Sequence, residues 1–408
     1  MLKIVNVQYS TKSAGRSAVR LNNGFLKSGI DSSILSLNYG ENDPGEIKYV
    51  HRNSRIIAWL DTKIQNFLTR NSIKKFGAFS YPIFGTDISK LEQIKEADII
   101  YLHWTLGGFL NVSNLESLAK LNKPIIFIMH DMWAITGGCH HSFTCGKYMT
   151  GCGACPMLPK HKKKDLSSRL FAKKMKFYSK YKNIHFISPS KWLYNCAKQS
   201  LLLRNHPISY IPNVIDSNIF RPVNKIVARQ FLGLSPTDNI IVFGAVSVSN
   251  PYKGWVYLEK ALNLLKDSLS YDNTTVLIFG SGYKKELAEA IPFKTKFTGF
   301  LSDEYSMILL YNAADILVTP SLADNQPTTV MESLCCGAAV VGFEVGGIPD
   351  MISHKENGYL AKYLDAGDIA RGIKFCLDNK LSGFQLPDFK SDLILQKHLS
   401  LIDQIKHQ

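Results

Sequence analysis

Acidic side chains are scarce in the first half of this sequence. Residues 1–200 carry 12 acidic against 29 basic side chains, whereas residues 201–408 carry 21 against 19. The net charge of +15 therefore originates in the first half alone. Such an asymmetry directs one part of the chain toward an acidic partner: membrane lipid, nucleic acid or a phosphorylated substrate. Long apolar runs are also missing. The longest, PIIFIM (124–129) and IIVFGAV (240–246), fall far short of the ~18 residues that span a bilayer. The start, MLKIVNVQYSTK, has no long apolar region and no small-residue cleavage site, so no signal peptide is expected and a cytoplasmic protein is the base reading. No internal repeat occurs, and the one biased tract is a lysine-rich stretch after Pro159.

What is present is ordinary globular composition, with 45% hydrophobic and 20% charged residues. A length of 408 residues exceeds what one core organises, so two domains are expected. In the first half LKIVNV, SSILSL, ADIIYLHW, KPIIFIMH and IHFISPS read as strands. The pattern restarts with NIIVFGAV, TTVLIFGSG, TKFTGF, ADILVTPS and AAVVGFEV. Nearly unbroken apolar, β-branched runs alternating with helical patterns predict α/β domains with parallel sheets covered on both faces. The expected domains are 1–212 and 213–389, joined near SYIPNVIDSNIFRP (209–222), with the ligand in a cleft at the carboxyl ends of both sheets. A last helix over 390–408, with Leu393, Leu395, Leu399 and Ile402 at near-helical spacing, is expected to return to the first domain.

Three loops of the second half carry ligand-binding chemistry. In GAVSVSNPYKGWVYLEKAL (244–262) Lys253 stands at a helix start, where an ammonium can neutralise a diphosphate; alone, a Lys-Gly pair is more often a solvated turn. In IFGSGYKKEL (278–287) a glycine turn at Gly282 either approaches a ligand or simply connects strand to helix. The third, PSLADNQPTTVMESLCCGAAVVGFEVGGIPDMI (320–352), places Asp324 after a strand and Glu332 inside a helix that Pro327 opens. A carboxylate accepts two hydrogen bonds and so suits vicinal sugar hydroxyls. The Gly346, Gly347 turn before Pro349 reads as an anion nest.

The run from Gly244 to Pro349, with TGFLS between the second glycine turn and ADILVTPS, resembles family-four retaining glycosyltransferases. The resemblance implies the GT-B architecture, two Rossmann-like doubly wound domains facing across a cleft. It also implies roles. Lys253 contacts the donor diphosphate, Glu332 the nucleotide ribose, Asp324 the donor sugar, and the Gly346, Gly347 turn sugar and phosphate. Gly282 and Asn325 complete the donor side. Two positions depart from the family. Ala245 stands where an arginine is common, and Asp324 is one methylene shorter than the usual glutamate.

In the first half, His103 and His130 follow strands. By the resemblance His130 contacts the donor sugar and joins Lys253 and Asp324 as a catalytic candidate. His103 is either an acceptor-side residue or a structural histidine beside Trp104. Gly15, in STKSAGRSAV, resembles the family's glycine near the acceptor. The segment 130–158 resembles the exopolysaccharide and O-antigen branch, including colanic-acid enzymes. There Cys139, Cys145, Cys152 and Cys155 stand as C-x5-C-x6-C-x2-C. They are either a structural zinc site or a reduced, metal-free loop; the fold implies no catalytic metal. Two basic segments with interleaved apolar residues, 51–76 and 160–182, are expected to lie on an anionic membrane, or else to present solvated lysines behind a core face.

The resulting expectation is a retaining hexosyltransferase using a UDP- or GDP-sugar as donor. Its acceptor is a glycan or lipid-linked oligosaccharide of bacterial surface polysaccharide, either lipopolysaccharide or exopolysaccharide. It would work peripherally on the inner face of the cytoplasmic membrane. Two rivals are a nucleotide-sugar 2-epimerase, which would turn over donor without acceptor, and a zinc-knuckle nucleic-acid-binding protein. The sugar-nucleotide motifs count against the latter, so no nucleic-acid partner is expected.

Overall fold

The short apolar runs form parallel strands, buried on both faces in the middle of each sheet, while the run TKFTGF forms a partly exposed edge strand. The computed structural model describes all residues except 13–14, 39–46, 73–76, 160–161, 249, 283–284, 302 and 407–408. Expectations resting on Ser13, Ala14, Lys74, Lys75, Lys160, Tyr283, Lys284 and Ser302 lie outside the described residues. The chain divides into two units, Met1–Val214 with Ile394–Gln408, and Ile215–Leu393.

The first unit holds β1 (Lys3–Ser10), β2 (Asp31–Asn38), β3 (Ile47–Tyr49), β4 (Ile99–Leu102), β5 (Ile125–Ile128), β6 (Ile184–Ser188) and β7 (Ile208–Tyr210). They form one parallel sheet in the order β3-β2-β1-β4-β5-β6-β7. The second unit holds β8 (Asn239–Ser247), β9 (Thr274–Ser281), β10 (Lys294–Gly299), β11 (Ile316–Thr319), β12 (Ala339–Phe343) and β13 (Gly358–Ala361). Their order is β10-β9-β8-β11-β12-β13, again all parallel. In each sheet the winding reverses at one place, between β1 and β4 and between β8 and β11. Loops leaving neighbouring strands there diverge to opposite faces, and the gap between them is where such sheets bind ligands.

Alternation along the strands explains the apolar runs. In β4, Ile100 and Leu102 join one core while Ile99 and Tyr101 join the core on the other face. In β8, Ile240 and Val242 face one core and Ile241 and Phe243 the other. The short strands β3, β7 and β13 escape the sequence reading because three or four residues give too little pattern.

Two helices differ from expectation. In the last helix, Ser391–Lys406, the buried residues are Ile394, His398, Leu401 and Ile402, whereas Leu393 is exposed and Leu395 and Leu399 are only partly covered. Ile394, Leu401 and Ile402 pack with Ile4, Phe25, Tyr101 and Ile128 of the first unit. The stripe is rotated by a residue because His398 is its centre: its Nδ1 lies 3.3 Å from the buried Tyr101 hydroxyl. The helix Leu166–Lys180, expected on a membrane, instead buries Leu170, Phe171, Phe177 and Tyr178 in the core. Even Lys174 is buried, donating to the Trp133 and Thr136 carbonyls with its ammonium 3.3 Å from the centre of the Trp133 ring. Here the apolar face is core. Among the described residues no helix is long and apolar enough to cross a membrane.

Ile394→Ala should test the returning helix. Removing a fully buried isoleucine is expected to destabilise the first unit by about 2–5 kcal/mol, read from urea unfolding. An unchanged midpoint would mean that the helix adds nothing to that core.

Candidate functional site

The second unit assembles a charged site at its winding reversal. After β8 the chain makes a short turn, Pro251–Lys253, and Gly254 then opens the helix Trp255–Leu264. Gly254 has φ +78, and a Cβ there would lie 1.8 Å from the Pro320 carbonyl oxygen. Only glycine allows that approach. The loop after β11 is thereby laid against the loop after β8, and the Leu322 N–H donates to the Tyr252 carbonyl at 2.7 Å. The consequence is an ion pair across 71 residues of sequence, Lys253 Nζ to Asp324 Oδ2 at 2.7 Å. Burial disfavours the Lys253 charge, but the Asp324 carboxylate, with help from Tyr252, outweighs it and lifts the pKa above that of an ordinary lysine. The ammonium stays charged at neutral pH.

Gly346 holds Asp324 from the other side. It has φ +59, and a Cβ would meet the Asp324 carbonyl oxygen at 1.9 Å. The Gly347 N–H donates to that same carbonyl at 3.1 Å. The glycine turn read as an anion nest thus has a prior structural duty: it fixes the backbone of Asp324. Glu332 lies in the helix Thr328–Cys335. The helix starts one residue after Pro327, and the carboxylate is buried rather than open. Its Oε2 accepts a 3.0 Å hydrogen bond from the Tyr311 hydroxyl. Asn325 is buried beside Asp324. Gly282 is exposed beyond β9, while the close approach belongs to Gly280, where a Cβ would lie 1.9 Å from the Ala245 carbonyl. Ala245 is itself buried in β8, which leaves no arginine at that strand.

In the first unit His103 leaves β4 buried, with both ring nitrogens engaged. Its Nδ1 is 3.2 Å from His130 Nε2, and its Nε2 is 3.1 Å from Asn6 Oδ1. The Asn6 amide nitrogen in turn faces Asn22 Oδ1 and Ser32 Oγ, both at 3.2 Å. These partners assign the protons: His103 donates from Nε2 and accepts from the His130 Nε2–H. His103 is thus buried, with its ring set between His130 and Asn6. Burial lowers the His130 pKa to about 4 against the opposing Asp131 carboxylate. His103 is held well below the ordinary range by burial first, and then by His130 and His398. Both rings are neutral at physiological pH. Gly15 caps the helix Arg16–Lys27, and its tight neighbour is the Ser10 carbonyl of its own loop.

Asp131 organises the segment that follows. Its Oδ1 accepts from the Trp133 N–H at 2.7 Å, and its Oδ2 lies 2.6 Å from His140 Nδ1 and 3.2 Å from Trp104 Nε1. These contacts keep the Asp131 carboxyl near about 2 despite burial. His140 Nε2 then meets Ser80 Oγ at 2.9 Å. Ser80, Asn6 and Tyr311 escape the sequence reading because their contacts are made by folding, not by spacing. None of the eight cysteines forms a disulfide. Burial raises the Cys139, Cys152 and Cys155 pKa values, that of Cys152 to about 11. Cys139 and Cys155 share a small apolar cluster with Phe79, Met157 and Leu158. Among the described residues no group of three or more His, Cys, Asp or Glu side chains is placed to hold a metal ion together, although Cys145, Cys152 and Cys155 lie close enough to Cys139 to act on its pKa.

Residues 237–379 match the family described as glycosyl transferases group 1. An uncharacterized glycosyltransferase from Haemophilus influenzae is 24% identical over 207 residues, 50% of this chain and 55% of its own length. The chain spans about half the length of the curated relatives it matches. A glycosyltransferase structure from Rickettsia africae is similar with a TM-score of 0.66 at 16% identity, covering 99% of this chain and 98% of that one. An Anabaena protein solved with UDP-glucose is similar with a TM-score of 0.62 at 15% identity, covering 99% and 100%. The fold is accordingly that of GT-B glycosyltransferases, two Rossmann-like units with parallel sheets of seven and six strands.

The neutral histidines give the first unit an acid sensitivity. Unfolded histidines titrate near ~6.5, above the folded values of about 4 for His130 and about 3 for His398. Between those limits the unfolded chain binds more protons, so stability is full above ~6.5 and falls as pH drops toward the folded values. Urea midpoints should be lower at about pH 5.5 than at pH 7, and His103→Asn should shrink the difference. Equal midpoints at both pH values would contradict the buried-neutral assignment.

Proposed function

We propose that the protein is a retaining glycosyltransferase that moves a sugar from a nucleotide-diphospho-sugar to a glycan or lipid-linked acceptor in bacterial surface polysaccharide synthesis. The Lys253–Asp324 pair carries this reading. It is a charged lysine and a carboxylate held 2.7 Å apart at the winding reversal of the second sheet, inside the stretch that matches group 1 glycosyl transferases. Transfer requires stabilisation of the departing β-phosphate, and a preorganised ammonium beside a helix N-terminus supplies it electrostatically. On donor binding the diphosphate competes with Asp324 for Lys253, which releases the carboxylate toward the donor sugar. Glu332, held by Tyr311, is assigned to the ribose hydroxyls.

Front-face attack is favoured, with Asp324 accepting a hydrogen bond from the donor sugar and the departing phosphate oxygen taking the acceptor proton. His130, oriented through His103 and Asn6, is assigned to a sugar hydroxyl that donates to its Nδ1, since its Nε2–H is given to His103. The UDP-glucose bound by the Anabaena protein supports a UDP-sugar donor, with a GDP-sugar as the alternative base. The basic first half supports work against the anionic inner face of the cytoplasmic membrane. The cysteine loop is read as reduced packing; about one equivalent of zinc in protein made without a His-tag would overturn that.

Glu332→Gln keeps an acceptor for Tyr311 but removes the charge, so donor affinity should fall by about 1.5–3 kcal/mol in calorimetry while the fold persists. Unchanged affinity would remove Glu332 from the ribose. Lys253→Ala should depress turnover far more than stability. Turnover equal to the parent would place the leaving-group charge elsewhere, and sugar epimerisation by donor alone would replace transfer with epimerisation.

A further inference from the structure

The helix Asn53–Leu68 is inside out. Its buried residues are Ser54, Ala58, Asp61 and Gln65, a stripe at positions i, i+4, i+7 and i+11, and three of the four are polar. Asp61 is fully buried. Its Oδ1 accepts the Ile83 and Phe84 N–H groups, each at 2.8 Å, and its Oδ2 accepts from Gln65. Gln65 Oε1 then accepts the Tyr81 N–H at 2.8 Å. Beside Ala58 the helix is packed so closely that a Cβ on Gly108 would lie 2.5 Å from its Cα. The polar clamp therefore fixes which face points out.

That outer face is apolar. Ile56, Trp59 and Phe67 are 57%, 58% and 62% exposed, and Leu60 and Leu68 are exposed with them. A soluble helix normally has the reverse arrangement, and contiguous exposed apolar surface of this kind marks an interaction site. Its charge identifies the partner. Between 51 and 72 the only acid is Asp61, which is buried, while Arg52, Arg55, Lys63 and Arg70 surround the apolar stripe. Lys63 and Arg70 lie over the Trp59 and Phe67 rings, 5.6 and 4.5 Å from their centres, as long cationic side chains do when their stems cover apolar surface and their heads seek an interface.

We infer that this face of Asn53–Leu68 docks the first unit on an anionic lipid bilayer, its aromatic and aliphatic side chains entering the headgroup boundary and its cations pairing with lipid phosphates. A second copy of the chain would bring two like-charged faces together, which disfavours self-association. The inference deepens the proposed membrane-side function by naming the contact surface, but its evidence and its test do not depend on catalysis.

The test is co-sedimentation of the full chain with vesicles of phosphatidylglycerol mixed with phosphatidylcholine, against phosphatidylcholine alone. The parent should bind the anionic vesicles, less so at high salt. The variant combining Trp59→Ser and Phe67→Ser should lose about tenfold or more in partitioning. Lys173→Gln on the other basic helix should change little. Donor titration by calorimetry, carried out in parallel, separates a failed surface from a failed donor site and shows that the variant is folded. Parent protein that ignores anionic vesicles at low salt, or a double variant that binds like the parent, would overturn the inference. So would concentration-dependent dimerisation of the parent that the double variant abolishes.

Discussion

An ammonium and a carboxylate cannot be brought together in a half-buried loop pair without backbone to hold them, and the second unit is organised around that constraint. Lys253 and Asp324 belong to loops that leave adjacent strands, β8 and β11, where the winding of the sheet reverses. Gly254 and Gly346 are the pieces that make the approach possible, each lying against a carbonyl of the Pro320–Asp324 stretch where a side chain would collide. The apolar cores on both faces of the sheet fix the strands, the strands fix the loops, and the loops fix one charge pair. A ligand with a diphosphate and a polyol sugar matches both members of that pair at once.

The first unit uses neutral groups for a comparable purpose. Burial keeps His103 and His130 uncharged, and the chain from His130 through His103 to Asn6 fixes ring orientation by assigning each proton. Asp131 does the reverse. It keeps its charge because Trp133, Trp104 and His140 surround it with donors, and it ties the 131–140 segment to Ser80 through His140. The two units thus present different chemistry after strands of their parallel sheets: an ion pair on the loops after β8 and β11 in one, an oriented neutral imidazole after β5 in the other.

Much of this was legible in the sequence because doubly buried parallel strands leave a strong signature. β4, β5, β8, β11 and β12 all read directly as β-branched or apolar runs, and Lys253, Asp324 and Glu332 stood out by their order along the chain. Three features were not legible. The close backbone neighbours of Gly15, Gly280 and Gly346 are carbonyls of Ser10, Ala245 and Asp324; Gly280 drew no notice beside Gly282, because spacing cannot tell which glycine of a turn makes the close approach. The basic helices 53–68 and 166–180 looked alike in composition, yet one buries its apolar stripe and the other exposes it. That difference is set by where Asp61 and Lys174 find partners, which are tertiary contacts. His398 was passed over for the leucines around it because its partner, Tyr101, is 297 residues away.

The central claim is that Lys253 is held by Asp324 until a diphosphate takes its place. Calorimetric titration of UDP, GDP and their sugar esters into the parent and Asp324→Asn proteins tests it most directly. Removing the carboxylate should preserve or tighten binding of the bare diphosphate, because the competing charge is gone. It should also erase the preference for the sugar ester over the diphosphate. Identical affinities and preferences in both proteins, or a parent that binds none of these ligands, would contradict the account.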